Sequence, residues 1–330
     1  MVTKTTTRLI DQVDTLGELI SRRVASSGQE RCLFFKEAQQ WLGLTWEEFN
    51  GLLTEMTALL SQAGCRPGDR IAIMARTSLL WDLCHYAILR LGGVVVGLDG
   101  HDTPDNLAHI IRQAGLRGVI VDSDALQDKL TPHRDELDFV LQADYSAAKG
   151  LQIGGESLSA AAVEALPDVM PDSPATIIFT SGTTGTSKGI CYTHAQVIEA
   201  CRAILSRYHD VTFGAHVPCW LPLSNLFQRM LNFCGISVGA QLFYVANPMD
   251  IVQQLPEINP DVLIGVPRFY EKLHDGLMQT INRQPWLIRK LFAACLRLRG
   301  CQADNSVAPC DRAWLESDTS PDPAAICSPA

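Results

Sequence analysis

The sequence has no C-x-x-C pair and no grouping of histidines and cysteines at zinc spacing, although eleven cysteines are scattered from Cys32 to Cys327. An odd, dispersed set excludes a regular disulfide framework, indicates no metal site, and points to a reducing compartment, the cytoplasm. Basic residues are in deficit: 27 lysines and arginines stand against 36 acidic residues, a formal charge of −9. A chain of that sign lacks the electrostatic footprint of a nucleic-acid binder. Long apolar runs are missing too. The longest uncharged stretch, Met230 to Met249, contains Asn232, Gly235, Gly239, Gln241 and Pro248, which a membrane-spanning helix would bury at a cost, so no transmembrane segment is expected. The first twenty residues interleave Lys4, Arg8, Asp11, Asp14 and Glu18 with apolar ones and so lack the apolar centre of a signal peptide. There is no G-x-G-x-x-G after a strand, no G-x-x-x-x-G-K-[ST] run and no internal repeat of fixed period.

What is present is an alternation of periods. The 330 residues, 47% hydrophobic, suffice for about two domains. In 46–64, Phe49, Leu52, Leu53, Met56, Leu59 and Leu60 share a helical face and Gly64 sits where a helix would stop. Pro67 and Gly68 turn the chain into a strand over 70–75; a helix over 79–91 and a strand within 92–98 follow. Thr103 as N-cap, Pro104 at the first helical position and Gly115 at the exit frame another helix, followed by a strand over 118–122. Residues 142–173, rich in Ala, Ser, Gly and Pro, read as a connection. The alternation then resumes: a strand over 175–179, a helix over 195–209, strands within 216–222 and 240–246 around a helix near 225–237, and a strand over 261–267. Helices alternating with short apolar strands predict an α/β fold with mainly parallel sheets covered on both faces. The residues 301–330 have neither period and read as a disordered tail.

The run TSGTTGTSKG, residues 180–189, follows the apolar strand 175–179 directly. Its hydroxyls and backbone N–H groups can meet phosphate oxygens, its glycines allow close approach, and Lys188 supplies a cation. Composition alone would favour a flexible linker. The order of residues does not: IIFTSGTTGTSKG resembles the phosphate-loop signature of the AMP-forming adenylating enzymes, with Ser187 where proline is commonest and GICYTH after it. WLPLSNLFQRM, 220–230, is similar to a motif of the long-chain acyl-CoA synthetases, with Asn225 and Gln228 in place of histidine and glutamate. PDVLIGVPRFYEKLHDGL, 260–277, resembles the VPR segment of the same subfamily.

The resemblance covers roughly residues 15–300 and implies two layered αβαβα-type subdomains, 1–165 and 166–300, the second incomplete and the small C-terminal domain absent. It implies ATP, Mg²⁺ and coenzyme A as cofactor and co-substrates, and a fatty acid or other carboxylic acid as acceptor. By the resemblance Thr180, Ser181, Gly182, Thr183, Thr184, Gly185 and Lys188 wrap the phosphates of ATP, with Thr183 or Thr184 near the metal, and Asn225 lies near the adenylate. The implied reaction is acyl-adenylate formation followed by thioester formation. The family's adenine-stacking, ribose-binding and late lysine residues are not matched in the chain, which predicts that it is inactive alone; a non-catalytic remnant holding nucleotide, lipid or a partner is the alternative.

Three lesser candidates have structural readings. His194, at a helix start, reads as a packing residue, and Asp69 with Arg70 as turn chemistry. The helix 285–299 mixes Trp286, Leu287, Leu291 and Phe292 with Arg289, Lys290, Arg297 and Arg299. Packing on a sheet is the expected role, with peripheral contact to an anionic membrane left open. The cysteines, most of them in apolar runs, read as buried thiols.

Overall fold

The computed structural model describes residues 8–154, 156–157, 165–180, 187–208 and 211–300. After a 3₁₀ turn (Leu9–Gln12) come α1 (Glu18–Ser27) and a hairpin of β1 (Arg31–Glu37) and β2 (Gln40–Thr45). Next comes α2 (Trp46–Gln62), opened by a capping box in which Thr45 and Glu48 satisfy each other's backbone N–H. There follow β3 (Arg70–Met74), α3 (Leu79–Arg90), β4 (Val94–Gly97), α4 (Pro104–Ala114), β5 (Gly118–Val121), α5 (Asp124–Leu130), β6 (Phe139–Ser146), β7 (Gly150–Ile153) and β8 (Glu156–Ser157). The remainder comprises β9 (Pro174–Thr180), β10 (Lys188–Thr193), α6 (His194–Arg207), β11 (His216–Cys219), α7 (Leu226–Val238), β12 (Gln241–Tyr244), α8 (Ile251–Ile258), α9 (Pro267–Asn282) and α10 (Trp286–Gly300).

The predicted framing of α4 is observed: Thr103 Oγ1 accepts the Asn106 N–H, Pro104 opens the helix, and Gly115 closes it with a φ of 58°. The turn reading of Asp69 also holds, its carboxylate accepting the Arg66 N–H at 2.7 Å.

Among the described residues the strands form two mostly parallel sheets, one in the order β11-β12-β1-β2 and one in the order β10-β9-β4-β3-β5-β6-β7-β8. Each sheet draws strands from both sides of residue 165. Parallel pairing joins β4 to β3 and β9, and β5 to β3 and β6, while β9–β10, β6–β7, β7–β8 and β1–β2 are antiparallel. Successive residues of β3 serve opposite faces: Ile71 and Ile73 join the core that includes α2, α3, α6 and α7, whereas Ala72 and Met74 join the one beneath α4. The first core also takes Leu33, Val217 and Leu242, so it lies between the two sheets.

Three expectations need correction. The connection over 142–173 contains the end of β6 and both β7 and β8. β6 and β7 are largely of intermediate burial on both faces and so carry no clear two-residue pattern. The phosphate loop does not lead straight to a helix; β10 intervenes. The strand expected over 261–267 is not formed. Asp261 Oδ2 accepts the His216 N–H at 2.8 Å, and the N–H groups of Asp261 and Val262 both point at the His216 carbonyl. A side chain thereby takes a position that a strand ladder would fill with backbone.

The chain divides into two compact units, 1–264 and 265–330. Within the second, α9 and α10 are joined by a short turn around Pro285, and α9 has no buried residue. The expected tail, 301–330, lies outside the described residues. Of the described cysteines, Cys32, Cys65, Cys84, Cys201, Cys219 and Cys234 are buried as expected, whereas Cys191 and Cys295 are exposed.

Candidate functional site

Because β9, β4, β3, β5 and β6 run parallel, their carboxyl ends share one edge of the larger sheet. The order places β4 on one side of β3 and β6 on the far side of β5, so the crossovers from β3 and from β5 run in opposite directions. This is the arrangement at whose strand ends α/β proteins hold ligands. Thr180 ends β9 at that edge, and it is paired across the hairpin with Lys188. Both are exposed. Two of the seven predicted phosphate contacts are thus brought together at the base of the loop. The other five, Ser181, Gly182, Thr183, Thr184 and Gly185, lie outside the described residues.

The loop's return end is fixed by side chains. Ser187, 8% exposed, donates its hydroxyl to Asn106 Oδ1 at 2.8 Å, and its carbonyl accepts from His109 Nε2 at 2.8 Å. Asn106 in turn donates to Asp102 Oδ1. Ser187, the one departure from the loop signature, is therefore the anchor onto α4.

Asn225 reaches the same edge by a different route. A Cβ on Gly97, at the end of β4, would collide with the backbone of Ser224, so only glycine lets the two segments meet. Asn225 is exposed, and as N-cap of α7 it makes no side-chain capping bond. Behind it Arg229 is fully buried and donates to Thr176 Oγ1 of β9 at 2.8 Å and to the carbonyl of Asn225 at 3.4 Å. Thr176 passes a bond to the Val95 carbonyl of β4, and the guanidinium lies 5.4 Å from the Trp81 ring centroid. Burial lowers the Arg229 pKa to about 9, against the pull of Asp82. One side chain thus ties the Asn225 segment to the strand that carries the loop.

A buried polar chain extends from this point. Gln228 accepts the Leu221 N–H at 3.1 Å and donates to Asn232, which donates to Asp82 Oδ2 at 2.8 Å; the Tyr244 hydroxyl donates to the same oxygen at 2.5 Å. Asp82 Oδ1 has no hydrogen-bond partner and lies 3.7 Å from His85 Nδ1. Burial lowers the His85 pKa to about 4. Sequence reading found Gln228 but not Asp82, His85, Asn232 or Tyr244, since nothing local to those residues announces a partner up to 162 positions away.

The edge continues into a cleft of about 720 Å³ at the carboxyl ends of β1, β3, β5 and β12, lined among others by Arg76, Ser78, Asp122, Tyr145, Tyr244 and Asn247. Arg76 bridges two strand ends, its backbone N–H and Nε both donating to Asp122 Oδ2 at 3.0 Å. His194 is a packing residue as expected: it is fully buried and its Nδ1 accepts the Leu16 N–H at 3.1 Å. No group of three or more metal-ligating side chains occurs among the described residues.

Residues 20–315 match the family described as AMP-binding enzyme. The chain belongs to the AMP-binding enzyme family. A long-chain-fatty-acid–CoA ligase, ACSBG2 of Rattus norvegicus, is 24% identical over 300 residues, 84% of this chain and 45% of the ligase. Long-chain-fatty-acid–CoA ligase 1 of Schizosaccharomyces pombe is 24% identical over 257 residues, 71% and 38% of the two chains. The AMP-binding chain therefore spans less than half the length of these relatives. Among solved structures, VinN aligns with a TM-score of 0.67 at 19% identity, covering 80% of this chain and 64% of its own. The N-terminal domain of FACL13 from Mycobacterium tuberculosis aligns at 0.62 and 20%, covering 74% and 61%. These likenesses establish the fold, that of the N-terminal domain of adenylating enzymes.

Proposed function

We propose that this AMP-binding chain supplies the triphosphate-holding part of a long-chain fatty acid–CoA ligase. The observation that carries the reading is the signature loop closing the β9–β10 hairpin, with Thr180 and Lys188 paired at its base on the edge that also presents Asn225. In the proposed reaction a carboxylate oxygen attacks the α-phosphorus of ATP and pyrophosphate leaves; the thiol sulfur of coenzyme A then attacks the acyl carbonyl and AMP leaves. Thr180, Ser181, Gly182, Thr183, Thr184, Gly185 and Lys188 hold the β- and γ-phosphates, and Asn225 faces the acyl-adenylate. Such chemistry rests on positioning and charge neutralisation. Mg²⁺ would neutralise phosphate charge, with the Thr183 or Thr184 hydroxyl beside it. The chain's own part is to hold the phosphates and to keep Asn225 in register with the loop through Arg229. The domain division at 165/166, the cytoplasmic setting and the use of coenzyme A belong to the same proposal.

The first test is equilibrium binding of Mg·ATP and of pyrophosphate to the chain and to Lys188→Ala. Losing a charge-assisted contact of about 1.5–3 kcal/mol weakens binding about tenfold to a hundredfold. Superimposable curves would remove the loop from the mechanism. The second is fatty-acid-dependent exchange of labelled pyrophosphate into ATP: none is expected from the 330 residues by themselves, whereas a chain extended to the length of its relatives exchanges. One other reading is a non-catalytic nucleotide- or lipid-binding protein, which the family match alone does not separate from a ligase. Binding without exchange even in the extended chain would select it.

A further inference from the structure

The second compact unit carries a surface that the ligase reading does not use. Between Arg283 and Gly300 stand five basic and no acidic residues, in a chain whose formal charge is −9. At about 100° per residue, Leu287, Leu291 and Cys295 align on one face of α10 with Ile288 beside them, while Arg289 falls opposite and Lys290 lies on the flank next to Leu287. The apolar face is open: Leu287 is 55% exposed, Ile288 44% and Leu291 59%. Trp286 is 67% exposed and its ring centroid lies 5.2 Å from Lys290 Nζ, so an indole and an ammonium sit together at the start of the helix. α9, with Arg268 and Lys272 against Glu271 and Asp275, has no such bias.

We propose that α10 is a docking helix for an anionic phospholipid surface. Charge complementarity selects that occupant. A neutral apolar partner would gain nothing from the excess of cations over 283–299, whereas an anionic lipid interface receives Leu287, Ile288 and Leu291 at the acyl boundary, Lys290 on the flank among the phosphates, and Arg289 within the attractive surface potential. Trp286 has the amphipathic ring that settles at headgroup level. At fifteen residues α10 extends about 22 Å, so it lies in the interface rather than crossing it. No helix among the described residues is long and apolar enough to span a membrane.

The test is flotation of the whole purified chain with vesicles of phosphatidylcholine alone and of phosphatidylcholine with phosphatidylserine, and it needs no nucleotide. The expected result is partition to the phosphatidylserine vesicles that falls as salt is raised. Arg289→Glu with Lys290→Glu lowers it at least about twenty-five-fold, two cations each being worth about fivefold. Leu287→Ser with Leu291→Ser abolishes it. All four positions are exposed or on the exposed helix, and unchanged thermal unfolding of the variants shows the fold intact. Failure of the parent chain to float, or equal flotation of the charge-reversed variant, overturns the proposal. So does a dimer that Leu287→Ser with Leu291→Ser dissociates in the absence of lipid partition, since a second copy then covers the face.

Discussion

α3 and α10 are both short helices with an apolar majority, yet α3 buries every residue except Arg90, while the described side chains of α10 are exposed apart from a partly covered Phe292. Apolar content does not separate them; the fate of their charges does. α3 carries Asp82 into the interior because Asn232 and Tyr244, from α7 and β12, bring donors to its carboxylate. α10 carries cations and has no acidic residue of its own to meet them. A helix enters the core when the rest of the chain answers its polar groups, since an unanswered buried charge costs more than its apolar neighbours return.

That contrast can be broken most severely at Arg229. Arg229→Ala removes the partner of Thr176 and of Trp81 and the buried cation that interacts with Asp82; a loss of about 3–5 kcal/mol in urea unfolding is expected. A loss below about 1 kcal/mol would show that the buried polar chain is not what holds α3 and α7 together. The next effect is on acid stability. His85 and His194 have folded pKa values lowered to about 4, chiefly by burial. The unfolded chain therefore takes up protons first as pH falls from about 6.5. Their contribution is complete above pH 6.5 and is lost on the way to pH 4, with each histidine costing about 2 kcal/mol by pH 5. His194→Asn, which keeps an acceptor for Leu16, should flatten the decline in unfolding free energy over that window, and an unaltered slope would contradict the assignment. The smallest effect is at Leu291→Ser, expected to change unfolding by less than about 0.5 kcal/mol because the side chain is already 59% exposed. A larger loss would mean that α10 is packed like α3.

Much of this was legible in the sequence where one local rule sufficed. Thr103, Pro104 and Gly115 mark both ends of α4, and the short apolar runs at 70–75 and 118–122 read as buried parallel strands because both their faces are covered. The loop was legible as an ordered set of residues, and so was its place after β9. The antiparallel borders were not. β10 reads as part of the segment after the loop, and β7 alternates too weakly, because a strand at a sheet's margin is relieved of the need to be apolar. The strand expected at 261–267 had the right composition, but the carboxylate of Asp261 competes for the backbone of β11. Arg229, Asp82 and Tyr244 were illegible for a different reason: each is an ordinary residue until the fold supplies a partner from another element.

The pairing of β1 with β12, which sets Leu33 beside Leu242, has a consequence for the chain during its synthesis. On the ribosome the β1–β2 hairpin emerges early, but the strand that completes it follows about two hundred residues later, which at 5–20 residues per second is a delay of roughly 10–40 s. Throughout that interval β1 presents an unpaired edge, the feature most open to capture by another chain. The larger sheet can assemble from β3 to β6 without waiting. Nascent chains stalled before residue 241 should therefore protect β3 to β5 from proteolysis while the hairpin remains a substrate for holdase chaperones, so that the yield of folded protein depends on elongation rate through the middle of the message.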